Sequence, residues 1–183
     1  MIGTRSLAQS NIKTEAVNRE SEFLGMAFYI VLREIYYPFM SGHDTMVNKR
    51  IIVADDDEDD RLLVQLVFNE VRAGVQIDFA TDGSDLMSLL SKTDAASSTL
   101  FVLLDLNMPK KTGREALKEI KEDPALKKIP VIVFTTAKNE TEIRKCYDLG
   151  ANTYIVKPDS LEDLRKVVSN LNSYWLDTAA TPS

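Results

Sequence analysis

Cysteine is nearly absent from this chain of 183 residues. Cys146 stands alone, so no intramolecular disulfide can form, and a reducing, cytoplasmic setting is expected. Histidine is equally scarce: His43 alone cannot make a histidine-rich metal site. No apolar run reaches the ~20 residues of a membrane span. The nearest approach is FLGMAFYIVL at 23–32, which Arg33 and Glu34 end, so no membrane insertion is expected. Glu15, Glu20 and Glu22 precede it where a signal peptide would carry positive charge. An excess of base is lacking as well. Lys and Arg number 22 against 28 Asp and Glu, a net charge of −6, which gives no support for a nucleic-acid-binding surface. The acid excess is the size of one local run, Asp55 to Asp60, in which six acidic residues follow one another against an apolar stretch.

What the chain does have is a regular alternation from Lys49 onward. Arg50–Ala54, Val75–Ala80, Leu100–Leu104, Pro130–Phe134 and Thr153–Val156 read as strands. Between and after them, Arg61–Ala73, Gly83–Lys92, a segment opened by Thr112-Gly-Arg-Glu115, Asn139–Leu149 and a segment capped by Ser160-Leu-Glu-Asp163 read as helices. Leu63, Leu66, Val67 and Val71 are the expected inner face of the first helix, and Gly74 suits a left-handed turn after it. Ile143, Cys146 and Tyr147 are expected to share a face of the fourth helix. Leu161, Leu164, Val167, Val168, Leu171, Tyr174 and Trp175 are expected to point inward from the last.

Five strand-then-helix units imply a doubly wound, five-stranded parallel sheet with helices on both faces. Strands covered on both faces read as continuous apolar runs, as these do. The domain is expected over 46–176. Residues 1–45 fall outside the alternation and read as a disordered extension or a mispredicted start, the alternative being a helix over 17–37. Residues 177–183 read as a tail.

In an open parallel sheet, ligands bind at the carboxyl ends of the strands. Asp55 and Asp56 follow the first strand, Asp105 the third, Thr135 closes the fourth, and Lys157 follows the fifth. The second ends in Thr81-Asp82-Gly83, a turn and helix start. Three carboxylates on one edge suit a hard divalent cation, above all Mg²⁺. A lysine and a hydroxyl beside them suit a phosphoryl group, and a carboxylate such as Asp105 can act as nucleophile toward one. Taken singly, each group also has a plain structural role: a solvated acidic loop, a strand-end hydroxyl, a loop lysine. Their order along the strands favours the chemical reading.

The segments VADDDEDDR, LLDLNMPKKTG, VFTTA and GANTYIVKPDS resemble the receiver domain of two-component response regulators, over about residues 48–176. The resemblance implies a flavodoxin-like (βα)5 fold. It implies Asp105 as phosphoacceptor and Asp56 as a direct Mg²⁺ ligand, with Asp55 helping to hold the ion and the backbone carbonyl of Asn107 completing the protein ligands. Thr135 would bond the phosphoryl group, Lys157 would pair with it, and Tyr154 matches the aromatic residue that moves with Thr135 on activation. Pro109 and Gly113 would shape the loop after the acceptor. The stretch from Val133 to Pro158 and the late Tyr174-Trp175 pair further resemble small stand-alone receivers associated with phytochromes.

A member of this family is expected to take its phosphoryl group from a sensor histidine kinase, or from a hybrid kinase or its phosphotransfer protein. It would signal by binding or by relay rather than act as a dedicated enzyme. The face of the fourth helix, fifth strand and fifth helix is the expected output surface and a candidate homodimer surface. An aspartyl phosphatase usually needs a second Asp two residues after its nucleophile, and Asn107 stands there. A docking module independent of phosphorylation would predict a lost acceptor, Thr or Lys, and all three are present. Of the remaining acids, Asp59 and Asp60 are expected at a helix N-terminus, where negative charge is favoured, and Asp57 and Glu58 in water.

Overall fold

The structure is a computed structural model and describes residues 50–92 and 98–180. The segment 1–45, with its alternative helix, lies outside the described residues. The elements run β1 (Arg50–Ala54), α1 (Glu58–Val71), β2 (Gln76–Ala80), α2 (Gly83–Leu90), β3 (Thr99–Leu104), α3 (Gly113–Glu122), β4 (Val131–Thr135), α4 (Glu140–Asp148), β5 (Thr153–Val156) and α5 (Leu161–Asn172). All neighbouring strands pair in parallel, in the order β2-β1-β3-β4-β5. This is the doubly wound sheet that the alternation implies.

Burial follows position in the sheet. β3 and β4 are buried at every residue and β1 at all but Arg50, whereas the edge strands β2 and β5 are mostly half-buried. Each fully buried Ile, Leu or Phe of these central strands contributes about 1.5–3 kcal/mol of transfer free energy. That is why β-branched and large apolar residues run unbroken there. On one face Leu86 and Leu90 of α2 join Ala116, Leu117 and Ile120 of α3 and Cys146 of α4 against β1, β3 and β4.

The helix starts are chemically specified. Thr112 caps α3 through a reciprocal capping box with Glu115, Asp82 caps α2, Asn139 caps α4 and Ser160 caps α5. α1 begins at Glu58, three residues before the expected start. Its cap is Asp57, whose carboxylate accepts from the backbone N–H groups of Asp59 and Asp60. Asp57 is exposed, as expected, but also closes two backbone donors that water would otherwise satisfy.

The inner face of α1 also differs from expectation. Val64, Val67 and Phe68 are buried, whereas Leu63 and Leu66 are 40% and 51% exposed. Apolar residues occur all round this helix, so spacing alone fits two stripes, and packing against α5 selects the one centred on Val64 and Phe68. Leu161 and Tyr174, expected inward, are likewise exposed, and so is Tyr147, expected to share a face with the buried Cys146. Tyr147 uses its hydroxyl at the surface, accepting from the Tyr154 backbone N–H. Beyond Asn172 the chain continues as a π-helical turn, Ser173–Thr178, where Trp175 packs against Phe101 at 6.1 Å between ring centroids and Asp177 pairs with Arg72. The segment expected as a tail thus begins inside this turn.

The amino end of the sheet is closed by one ammonium. Lys121 Nζ donates to the carbonyl of Ile129 at 2.8 Å and to Asn152 Oδ1 at 3.0 Å. Asn152 Oδ1 also accepts from the Val131 N–H, and the Asn152 N–H donates to the Val131 carbonyl. The end of α3, the start of β4 and the loop into β5 are held together by these bonds. Among the described residues, no helix is long and apolar enough to cross a membrane.

Candidate functional site

The sheet ladder carries the chain past the last residue of each strand and so sets where the polar groups emerge. The Asp55 N–H donates to the Ala80 carbonyl, the Asp105 N–H to that of Ala54, and the Lys157 N–H to that of Thr135. Asp55, Asp105 and Thr135 are therefore anchored by backbone bonds on one edge and buried there, at 2%, 7% and 0% exposure. Asp56, one residue later, is exposed. Oxygens of Asp55, Asp56 and Asp105 lie within 4.8 Å of one another.

Among the described residues, one cation pairs with the carboxylates of this cluster, while the Arg61 guanidinium donates to the Asp55 backbone carbonyl at 2.6 Å. Lys157 Nζ stands 2.7 Å from Asp55 Oδ2, 3.1 Å from Asp105 Oδ2 and 2.6 Å from Asp60 Oδ2. Burial acts against the charge of the ammonium. Hydrogen bonds to Asp55 and Asp60, with the charges of Asp55 and Asp105, outweigh it and carry its pKa above the ordinary lysine value. Asp55 moves the other way for a carboxylate: burial raises its pKa, and neither Lys157 nor the Asp57 N–H fully offsets this. A single ammonium shared among three acids leaves the buried Asp55 under-compensated.

This charge balance bears directly on a metal. Carboxylate oxygens that converge within 4.8 Å, two of them from buried acids, with one ammonium against them, are a donor set that a hard divalent cation would relieve. The Thr135 hydroxyl is fully buried, with no hydrogen-bond partner among the described residues. It stands on β4, the strand next to the one that delivers Asp105. A buried hydroxyl without a partner on the same edge as three carboxylates and an ammonium fits an incoming oxyanion.

The loop between β3 and α3 is tied down at several points. Asn107 is exposed, and its N–H donates to Asp105 Oδ1 at 3.2 Å. Lys110 takes a left-handed backbone conformation, φ 60°, and its ammonium reaches the buried Asp82 at 2.6 Å. The Gly83 N–H donates to the Lys111 carbonyl. Gly113 allows the closest approach: a Cβ there would stand 1.9 Å from the Asp105 carbonyl oxygen. Tyr154 sits half-buried on β5, and its hydroxyl donates to the Ala137 carbonyl, two residues past Thr135, at 3.0 Å.

The structure thus brings Asp55, Asp56, Asp105, Thr135 and Lys157 to one edge, with Asn107 on the adjoining loop and Tyr154 beside the loop that follows Thr135. The sequence places Asp60 mainly at the helix terminus and gives no sign of its contact with Lys157. Nothing local in the sequence points to a bond between residues 97 positions apart. The ties from Asp82 to Lys110 and from Gly83 to Lys111 were also missed, although Thr81-Asp82-Gly83 did mark the helix start.

The family description "Response regulator receiver domain" matches residues 51–169. Response regulator Rcp1 of Synechocystis is 38% identical over 138 residues, covering 74% of this chain and 94% of that protein. A crystal structure of the Mn²⁺-bound form of Rcp1 superposes with a TM-score of 0.66 at 39% identity, covering 74% of this chain and 99% of that one. The structure of a phosphorylated cyanobacterial phytochrome response regulator, RcpA, gives 0.67 at 39% identity with the same coverage.

Proposed function

The chain belongs to the response regulator receiver family of two-component signalling, and on that premise we propose that Asp105 accepts a phosphoryl group from a phosphohistidine in a Mg²⁺-dependent transfer. The observation that carries this reading is the position of Asp105. It is a nearly buried carboxylate at the end of β3, sharing Lys157 with Asp55, with Asp56 within ligand distance and, on the next strand, the Thr135 hydroxyl, which has no partner among the described residues.

An Asp105 carboxylate oxygen attacks phosphorus in line. The phosphorus–nitrogen bond to the donor imidazole breaks, and its electron pair returns to that ring. Asp55, Asp56, Asp105 and the Asn107 carbonyl would hold the Mg²⁺, which neutralises charge on the transferring group. Thr135 donates its hydroxyl proton to a phosphoryl oxygen, and Lys157 swings from its carboxylates to another. The ties at Lys110, Lys111 and Gly113 keep the loop after Asp105 fixed while this happens.

The donor is a sensor histidine kinase, or the phosphotransfer protein of a hybrid kinase. The phosphorylated phytochrome response regulator among the similar structures supports a receiver of that kind. Output runs through Thr135 and Tyr154. Movement of Thr135 toward the phosphoryl group shifts the loop that carries the Ala137 carbonyl, to which the Tyr154 hydroxyl is bonded. The face of α4, β5 and α5 then presents a changed surface to a partner or to a second copy of the chain.

The test is labelling by acetyl phosphate with Mg²⁺, read by intact-mass spectrometry. The wild type should gain the mass of one phosphoryl group, lost on mild base treatment, and Asp105→Asn should gain none. A label that persists in the variant overturns the assignment.

A further inference from the structure

We propose that Asp60 is a positioning residue for Lys157, offering the ammonium a second seat beside the acid pocket that eases metal entry and opposes capture of the phosphoryl group. This deepens the function proposed above and rests on it. Of the three carboxylates around Lys157 Nζ, Asp60 makes the shortest contact, 2.6 Å, against 2.7 Å to Asp55 and 3.1 Å to Asp105. Asp60 differs from the other two in kind. It comes from the first turn of α1 rather than a strand end, its side chain is 38% exposed where theirs are 3% and 8%, and it is not one of the oxygens that converge for a metal.

The bland account of Asp60 is a charge at a helix N-terminus. That role is already filled. Asp57 makes the cap, and Glu58 and Asp59 supply acid to the same turn. The Asp60 carboxylate turns to Lys157 instead.

The consequence follows from which oxygens are shared. Lys157 bonds Asp55 Oδ2 and Asp105 Oδ2, oxygens of two acids in the cluster that a divalent cation needs. Lys157 therefore competes with the ion. With Asp60 beside it, the ammonium can slacken its hold on Asp55 and Asp105 without losing every ionic partner. Without Asp60 it has only the metal-binding acids to pair with. Once Mg²⁺ has neutralised those acids, the balance reverses: the phosphoryl oxygens and Asp60 are rivals for one ammonium. Removing the Asp60 charge should weaken Mg²⁺ and strengthen the phosphoryl mimic; any nearby loss of negative charge has those signs, so the role of Asp60 is read from an effect larger than that of its neighbour Asp59 and dependent on Lys157.

The experiment uses the full chain. Isothermal titration calorimetry measures Mg²⁺ on wild type, Asp60→Asn and Asp59→Asn, then beryllofluoride at saturating Mg²⁺. Asp59 sits in the same turn and is exposed, so its variant controls for charge. Asp60→Asn should bind Mg²⁺ about threefold to tenfold more weakly and beryllofluoride more tightly by a similar factor, as expected for a partly exposed ion pair. Asp59→Asn should move neither by more than about twofold. Asp60→Glu should return both values toward wild type, and Asp60→Ser serves if Asn folds poorly. Adding Asp60→Asn to Lys157→Met should leave Mg²⁺ affinity unchanged. The proposal is overturned if both affinities move in the same direction, if Asp60→Asn matches Asp59→Asn, or if its effect survives without Lys157. A wild type that binds no beryllofluoride, or an Asp105→Asn variant that still does, overturns the proposed function and this inference with it.

Discussion

Replacing Lys157 by Met tests the charge balance on which the site depends. The change keeps an unbranched apolar stem and deletes the only cation that pairs, among the described residues, with the side chains of Asp55 and Asp105. Removing one partner of a buried ion pair costs about 3–5 kcal/mol, because the other charge is left without compensation. Asp55 and Asp105 meet that description at 3% and 8% side-chain exposure, whereas Asp60, at 38%, is screened and adds little.

The acids have one escape, which is to take up a proton, and each unit of pKa shift costs about 1.4 kcal/mol. A loss of about 3–4 kcal/mol is therefore expected at pH 7 without metal. The sign of the pH effect is then determined. In the variant Asp55, already raised by burial, loses the ammonium that opposes that shift, so the folded state binds a proton that the unfolded state does not. Its stability rises as pH falls toward the ordinary carboxylate range. Asp55 already behaves this way in the wild type, where burial raises it, and the variant widens the window. Lys157, being raised, contributes its stability in full below the ordinary lysine value and loses it only above, so it adds no slope between pH 5 and 8.

Urea unfolding followed by far-ultraviolet circular dichroism, with chelator at pH 7 and pH 5, should show the deficit shrinking at the lower pH. Millimolar Mg²⁺ should then stabilise the variant more than the wild type, because the ion no longer competes with an ammonium. A deficit below about 1 kcal/mol at pH 7 without metal, or equal stabilisation of both proteins by Mg²⁺, would refute the reasoning.

Three further substitutions test the backbone and the output route. Gly113→Ala should destabilise by about 3 kcal/mol or more and abolish beryllofluoride binding, since its Cβ would meet the Asp105 carbonyl oxygen at 1.9 Å and backbone must move. Gly74→Ala, at φ +87° with nothing within 4 Å, should cost only about 1 kcal/mol of backbone strain in the same urea assay and leave beryllofluoride binding intact. Tyr154→Ala should keep acetyl phosphate labelling of Asp105 but lose any change in sedimentation that beryllofluoride and Mg²⁺ induce in the wild type. A full response in that variant would remove Tyr154 from the output route.

The fold was legible because parallel strands buried on both faces must be apolar throughout, and the turns between them are marked by capping residues. β5 lies where its run places it, and Thr112 and Ser160 cap where their spacing predicts. The start of α1 was harder to read, since any of six consecutive acids could serve as cap, and only the backbone path singles out Asp57. The inner face of α1 failed for a related reason: where apolar residues surround a helix, its orientation is decided by the neighbour it meets. On the site, the strand-end rule gathered Asp55, Asp56, Asp105, Thr135 and Lys157, because a parallel sheet brings all its carboxyl ends to one edge. Asp60 escaped, because a side chain that leaves its helix for a lysine 97 positions away leaves no local signature.

The bonds of Lys121 and Asn152 give the two ends of the sheet unequal freedom. At the amino end the Lys121 ammonium bonds the Ile129 carbonyl and the Asn152 amide oxygen, which also accepts from the Val131 N–H, so these bonds form a clamp across β4 and β5. The carboxyl end holds surplus negative charge and a hydroxyl without a partner among the described residues. By bond count alone, a shift that starts at Asp105 would find more ties along the strands than across their tips. It should therefore travel sideways, from β3 to β4 to β5, and surface on the flank beside α4. The clamp transmits nothing itself, but by refusing to yield it gives the motion a direction.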